Sequence, residues 1–163
     1  MHLRKLNIRD ADRILEWIKD PEINKYFRFD PDKMNRDDVI SFIEKAQNES
    51  KDIHMAATDD NDRYLGTVSL KNINYNDKNA EYAISLHKDA VGSGVAKFAT
   101  EEIIKIAFTK LNLERIYLNV FSDNSRAINF YNKMGFKYEG ELEKHLQIRG
   151  EFKSLKLFAI LKK

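Results

Sequence analysis

The chain has 163 residues, with 28 Lys and Arg against 26 Asp and Glu, two prolines and no cysteine. That length suits one domain, and a 42% hydrophobic share with net charge +2 excludes a disordered chain and offers no broad basic field for nucleic acid. Without cysteine there is no disulfide framework, no cysteine-ligated zinc and no cysteine nucleophile. No apolar run approaches the ~20 residues that span a bilayer, and the first eight residues do not read as a secretory leader. A cytoplasmic protein free of membrane is expected.

The pattern opens with a strand over residues 3–8, carried by Leu3, Leu6 and Ile8. Asp10 then stands at a helix N-cap position, ahead of Ala11, Ile14, Leu15, Trp17 and Ile18. Pro21 stops that helix, and residues 26–31 read as an aromatic loop or short helix. A second helix starts at Asn35, with Val39, Ile40, Phe42, Ile43 and Ala46 on its inner side.

From Asp52 the period becomes two. Strands over 52–58 and 64–70 flank the turn Asp59–Asp60–Asn61–Asp62, and a third covers 80–86, which predicts an antiparallel meander. A Gly92–Ser93–Gly94 junction leads into a long helix over 95–109. A strand over 115–121 and a helix over 125–134 follow, with Gly135 placed as its C-terminal cap. Strands over 136–142 and 152–161 end the chain, joined by a loop over 144–151. The prediction is an α/β chain with a mixed sheet, ordered β-α-α-β-β-β-α-β-α-β-β.

Two segments can carry chemistry. In the first, glycines at a strand-to-helix junction let backbone approach a ligand, and the unpaired N–H groups of the first turn suit a phosphate. Gly92-Ser93-Gly94 alone is equally a flexible cap. It is no Walker loop, because Phe98 follows Lys97, and no dinucleotide fingerprint, because Lys97 holds the third glycine position. In the second, Asn124 and Tyr131 lie seven apart and share a helix face, roughly 10.5 Å apart along the axis. Taken singly, Asn124 is a helix cap and Tyr131 a core aromatic.

Together the two segments resemble the GNAT superfamily of acetyl-CoA-dependent N-acetyltransferases. Gly94 and Ala96 fill the small positions of that family's Gln/Arg-x-x-Gly-x-Gly/Ala loop. Asn124, Ala127, Tyr131, Gly135 and Phe136 fill every fixed position of Asn-x-x-Ala-x-x-x-Tyr-x-x-x-Gly-Phe. The ending from Glu139 to Phe152 is similar to the ribosomal-protein N-terminal and spermidine acetyltransferase branch. Val91 departs from the loop pattern, standing where the family carries Gln or Arg, with Ser93 and Lys97 beside it. Ser154 falls near a position that is often acidic.

The resemblance implies a GNAT-like fold of about seven mostly antiparallel strands with two helices on each side. It implies acetyl-CoA as co-substrate and no metal. The pantetheine arm would add to the backbone of Ile84, Ser85 and Leu86 where the fourth and fifth strands splay. The pyrophosphate would lie on Val91, Gly92, Ser93, Gly94, Val95, Ala96 and Lys97, with Asn124, Ala127, Tyr131 and Lys133 as further cofactor contacts. Tyr131 would act as general acid toward the thiolate, Glu81 as base, and an Ile84 N–H would polarise the carbonyl. Read alone, Glu81 is equally a solvent-facing strand residue.

The acceptor site falls to the first two helices and the last hairpin, with Tyr26, Phe27, Phe29 and Glu81 as candidates and Trp17 read as core. The acids Glu22, Asp30, Asp32, Asp37 and Asp38 alternate there with Lys25, Arg28, Lys33 and Arg36. That dilution ranks a protein N-terminus or amino sugar above a polyamine. Partners are therefore acetyl-CoA and an amine, with a homodimer left open and no nucleic acid. The alternative is a catalytically weak acyl-CoA sensor. His2, His54, His87 and His145 show no metal-ligand spacing.

Overall fold

Residues 1–48 and 51–163 are described in a computed structural model of the protein. Seven strands form one sheet: β1 (His2–Lys5), β2 (Ile53–Thr58), β3 (Tyr64–Asn74), β4 (Asn79–Leu86), β5 (Arg115–Phe121), β6 (Lys137–Ile148) and β7 (Glu151–Leu161). Their order is β1-β2-β3-β4-β5-β7-β6. Every neighbouring pair is antiparallel except β4 and β5. Helices α1 (Ala11–Ile18) and α3 (Arg36–Asn48) cover one face, and α4 (Val95–Lys105) and α5 (Ser125–Lys133) the other. One further turn, α2 (Pro21–Asn24), starts where Pro21 ends the first helix, capped by Asp20. The expected mixed sheet with two helices per face is what the chain forms. No helix among the described residues is long and apolar enough to cross a membrane.

Strand alternation divides the core. Ala56 packs with Ile14, Val39, Ile43 and Tyr64 under α1 and α3. Its neighbour Ala57 packs with Val68, Ala99, Ile103 and Ile116 under α4. Ile43 and Ile103 are each fully buried, and a buried side chain of that size contributes about 1.5–3 kcal/mol. Both layers are thus held by their own apolar stripe.

Several boundaries differ from the sequence pattern, β3 among them, which runs on to Asn74 instead of ending at residue 70. The first strand stops at Lys5, because Asn7 caps a 3-10 turn over Ile8–Asp10. Asp10 does not cap α1: its carboxylate accepts from the Asn7 N–H at 2.9 Å and from both terminal nitrogens of Arg4 at 2.8 Å. The long helix leaves α geometry at Ile106 and ends in a π turn through Lys110, with Leu111 N–H donating to the Ile106 carbonyl. The expected loop over 144–151 is mostly strand. Arg149 and Gly150, at φ 48° and 83°, make a tight two-residue turn between β6 and β7. Positive φ at both central residues is what a type I′ hairpin needs.

Candidate active site

The sheet opens in its middle. β4 and β5 pair only at Asn79–Arg115, Ala80–Ile116 and Glu81–Tyr117. Beyond Glu81, β4 stays on β3, with the His87 N–H donating to the Leu65 carbonyl at 2.8 Å. β5 stays on β7, with the Ser122 N–H donating to Ser154 at 3.0 Å. The facing edges of residues 82–86 and 118–121 are left without each other, as expected of strands four and five. Gly66 on β3 permits the close approach here, since a Cβ would sit 2.7 Å from the Ser85 carbonyl oxygen.

The glycine loop lies at the open end of β4. Gly92 and Gly94 adopt φ 80° and 85° with open space where a Cβ would stand, so conformation and not crowding selects glycine. The Ser93 hydroxyl donates to the Ala90 carbonyl at 2.6 Å and steadies the turn. The first intrahelical bond of α4 runs from the Phe98 N–H to Gly94, leaving the Ala96 and Lys97 N–H groups without an acceptor among the described residues. Val91 is 46% exposed, and Lys97 leans toward Glu101 at 3.8 Å. One turn on, Thr100 anchors the helix to the fork: Tyr82 and Thr100 hydroxyls meet at 2.7 Å, and Thr100 donates to the Ala96 carbonyl at 2.6 Å. Neither contact has a signal in the sequence.

Under the fork, the second motif acquires a physical reason. Asn124 caps α5, its side chain accepting from the Ala127 N–H at 3.2 Å. At the other end, Gly135 at φ 88° lets its N–H donate to Asn132, and the Phe136 N–H to Tyr131, both at 3.1 Å. This is a Schellman closure, in which the residues at its two ends also pack together. The Tyr131 ring accordingly lies 5.8 Å from Phe136 and edge-on, 6.0 Å, to Tyr82 of β4. Tyr131 is only 9% exposed; its hydroxyl bonds to no group among the described residues and is not one of their fully buried unpartnered oxygens. Burial pushes its phenol up to about 12. Lys133 is exposed at the end of the same helix.

The remaining candidates lie on the α1/α3 side. Glu81 is not a free carboxylate: Lys71 reaches one oxygen at 3.2 Å and the Asn72 amide the other at 3.1 Å. Tyr26, Phe27 and Phe29 do not form one wall. Tyr26 stacks on Phe121 at the end of β5, 5.0 Å between centroids, whereas Phe27 stacks on Phe29 and meets Trp17 edge-on. Trp17 belongs to the core as expected, its indole N–H donating to the Tyr64 hydroxyl at 2.8 Å. His87, fully buried, ties the end of β4 to α1. Its Nδ1 accepts from the Asp89 N–H at 3.2 Å, so Nε2 carries the proton donated to Glu16 at 2.6 Å. Together with Trp17, Asp20 and Lys88 these residues line a depression of about 480 Å³ beside the glycine loop. A larger one, about 760 Å³, lies at the far end of β3 around Asp52 and residues 72–76.

The family model described as "Acetyltransferase (GNAT) domain" matches residues 1–137. The chain belongs to the GNAT acetyltransferase family. As a GNAT enzyme it transfers the acetyl group of acetyl-CoA to an amine. Among its relatives, an uncharacterized N-acetyltransferase p20 of Bacillus licheniformis is 29% identical over 99% of this chain and 92% of its own. A spermidine N(1)-acetyltransferase of Vibrio cholerae is 30% identical over 77% of this chain and 72% of its own. The crystal structure of spermidine N-acetyltransferase from Vibrio cholerae in complex with CoA and spermine superposes with a TM-score of 0.88. It shares 28% identity, covering 98% of this chain and 94% of that one. The spermidine branch of the GNAT family, which the ending of the sequence resembled, is thus among its relatives.

Proposed function

We propose that this GNAT enzyme acetylates a small cationic amine of the polyamine class, with the reaction centred in the fork between β4 and β5. The fork over an unpartnered Tyr131 hydroxyl is the observation that carries the site. Acetyl-CoA would extend strand β4 with its pantetheine arm, on the free edge at Ile84, Ser85 and Leu86. Its pyrophosphate would lie over Val91, Gly92, Ser93 and Gly94 and on the first turn of α4 at Val95, Ala96 and Lys97, the last two with unengaged N–H groups. Asn124, Ala127 and Lys133 would border it from α5, and the Ile84 N–H would polarise the thioester carbonyl.

Tyr131 would donate to the leaving sulfur. A free thiol titrates near ~8.5, well below this phenol. The same desolvation acts on a thiolate formed beside it, so the gap closes and the proton can pass from oxygen to sulfur. Glu81, held by Lys71 and Asn72, would orient the acceptor rather than take its proton.

The polyamine class is favoured by the spermidine acetyltransferases among the relatives. The Tyr26 ring stacked on Phe121 already holds the Lys25 ammonium 5.4 Å from its centroid, a place a substrate ammonium would have to share or take over. This ranking reverses the one suggested by charge dilution along the sequence. Thiol release from acetyl-CoA with spermidine, spermine, peptide N-termini and amino sugars tests it. Spermidine is expected to exceed the other classes by about tenfold or more in kcat/KM, a difference of ~1.4 kcal/mol. A preference for a peptide or a sugar would overturn the acceptor, and no release with any amine would overturn the site.

The buried phenols also set an alkaline limit on stability. Burial raises Tyr64 and Tyr82 as well as Tyr131, whereas an unfolded tyrosine titrates near ~10. Their contribution is fully present below about pH 10 and is lost as pH rises through the folded values. The urea midpoint is expected to fall from about pH 10 upward, and less steeply in Tyr131→Phe. A midpoint that climbs over that range would contradict it.

A further inference from the structure

On the α1/α3 face, two polar side chains pair across β2 and β3, one strand away from the edge of β4 that borders the fork. The register sets His54 of β2 opposite Ser69 of β3, and Ser69 opposite Ala83 of β4. His54 lies two residues from Ala56, which packs under α1 and α3, so all three project to that face. His54 Nδ1 lies 2.7 Å from the Ser69 hydroxyl, and its Nε2 lies 3.7 Å from an Asp52 carboxylate oxygen. The imidazole is 9% exposed and Ser69 6%, and Phe42 of α3 packs edge-on over the ring at 5.1 Å. Next to Ser69, Ala83 is small and only half-buried, one residue from Ile84 on the free edge of β4.

A carboxylate on the Nε2 side favours the tautomer protonated there, which leaves the Nδ1 lone pair to accept the Ser69 proton. The serine oxygen then has its own lone pairs for an amine N–H. Glu81 already accepts from Lys71 on one oxygen and from Asn72 on the other, which leaves it the orienting role given above. Among the described residues, Asp52, just ahead of β2, is the charged group set against His54, while Lys71 and its partner Glu81 stand two residues along the register from Ser69 and Ala83. α3 presents the apolar Phe42.

We propose that His54, acting through Ser69 and held by Asp52, receives the proton that the acceptor amine loses during acetyl transfer. The proposal rests on the acetyl-transfer site assigned above. As the nitrogen bonds to the acetyl carbon and the C–S bond breaks, the amine proton moves to the Ser69 oxygen. The proton already on Ser69 moves to His54 Nδ1, leaving an imidazolium beside Asp52. The sulfur takes its proton from Tyr131, and solvent restores both groups. His54 is a positioning and relay residue that touches the substrate only through Ser69.

The test is the pH profile of spermidine acetylation, read by thiol release in the intact protein. His54→Gln is expected to lower kcat about 10²-fold or more at neutral pH, to leave KM for acetyl-CoA unchanged, and to remove the acid limb between about pH 5 and 8. Glu81→Gln is expected to keep that limb. Ser69→Ala should reproduce the loss and Ser69→Thr, which restores a hydroxyl, should recover most of it. A His54→Gln enzyme within about threefold of wild type, or one with an unchanged limb, would overturn the relay while leaving the site intact. If His54→Gln fails to fold, equal rates for Ser69→Ala and Ser69→Thr would overturn it. A wild-type protein that releases no thiol with any amine would overturn both readings.

Discussion

Tyr131→Phe is expected to lower kcat for acetyl transfer about 10²-fold or more, with little change in KM for either substrate. The phenylalanine ring keeps the contacts with Tyr82, Phe130 and Phe136 that hold α5 under the fork. Only the hydroxyl is lost, and that hydroxyl bonds to nothing among the described residues. The hydroxyl makes no bond within the fold that its removal would break, so the folded protein should keep its stability to within ~1 kcal/mol. Lower turnover in a fold that is no weaker separates a group kept for the reaction from one kept for packing. Steady-state kinetics with urea denaturation on the same preparation reads both quantities. A variant with wild-type turnover would return Tyr131 to the core.

The second large effect lies at the opposite edge of the sheet. Asp10→Ala is expected to destabilise the fold by about 2–4 kcal/mol, somewhat below the ~3–5 kcal/mol typical of breaking a buried ion pair. The carboxylate is 2% exposed and carries three hydrogen bonds, two from Arg4 and one from the Asn7 backbone. The cost is moderated because the Arg4 guanidinium keeps a second carboxylate, Asp62, whose oxygen its Nε meets at 2.5 Å. Against a total of ~5–15 kcal/mol, such a loss is large. Asp10→Asn, which still accepts from Asn7, should lose less. Kinetic constants per folded molecule should stay unchanged, because the cluster joins β1 to α1 and is remote from the fork. A shift in the urea midpoint too small for about 1 kcal/mol would show that the pair is replaceable.

What could be read in the sequence was local. β5 has the residues 115–121 that its alternation predicts, because Ile116, Leu118 and Val120 pack on one side of a strand flanked by partners. The Tyr-x-x-x-Gly-Phe run was legible because a single closure demands all three residues. Asp10 misled for the same reason: an acid before an apolar run looks like a cap, and only the folded chain brings Arg4 onto it. The hairpin turn at Arg149 and Gly150 escaped because Arg is an uncommon residue at φ above zero, where Asn would have marked the turn.

The proposed relay was not legible at all. His54, Ser69 and Ala83 are neighbours only through the registers of β2, β3 and β4, and a one-residue slip would turn them to the other face. Glu81 was singled out through the resemblance alone, and the two side chains that engage it come from β3. Sequence identified the elements that border the fork, and tertiary register decided which polar groups face it.

Direct transfer is tested by initial-velocity kinetics of thiol release, with acetyl-CoA varied at several fixed concentrations of spermidine. The chain has no cysteine to carry an acyl group, and the proposed transfer is direct, with acetyl-CoA and amine in the fork together. Double-reciprocal lines that intersect are the predicted result. Parallel lines, the mark of an acyl-enzyme formed before the amine binds, would contradict it.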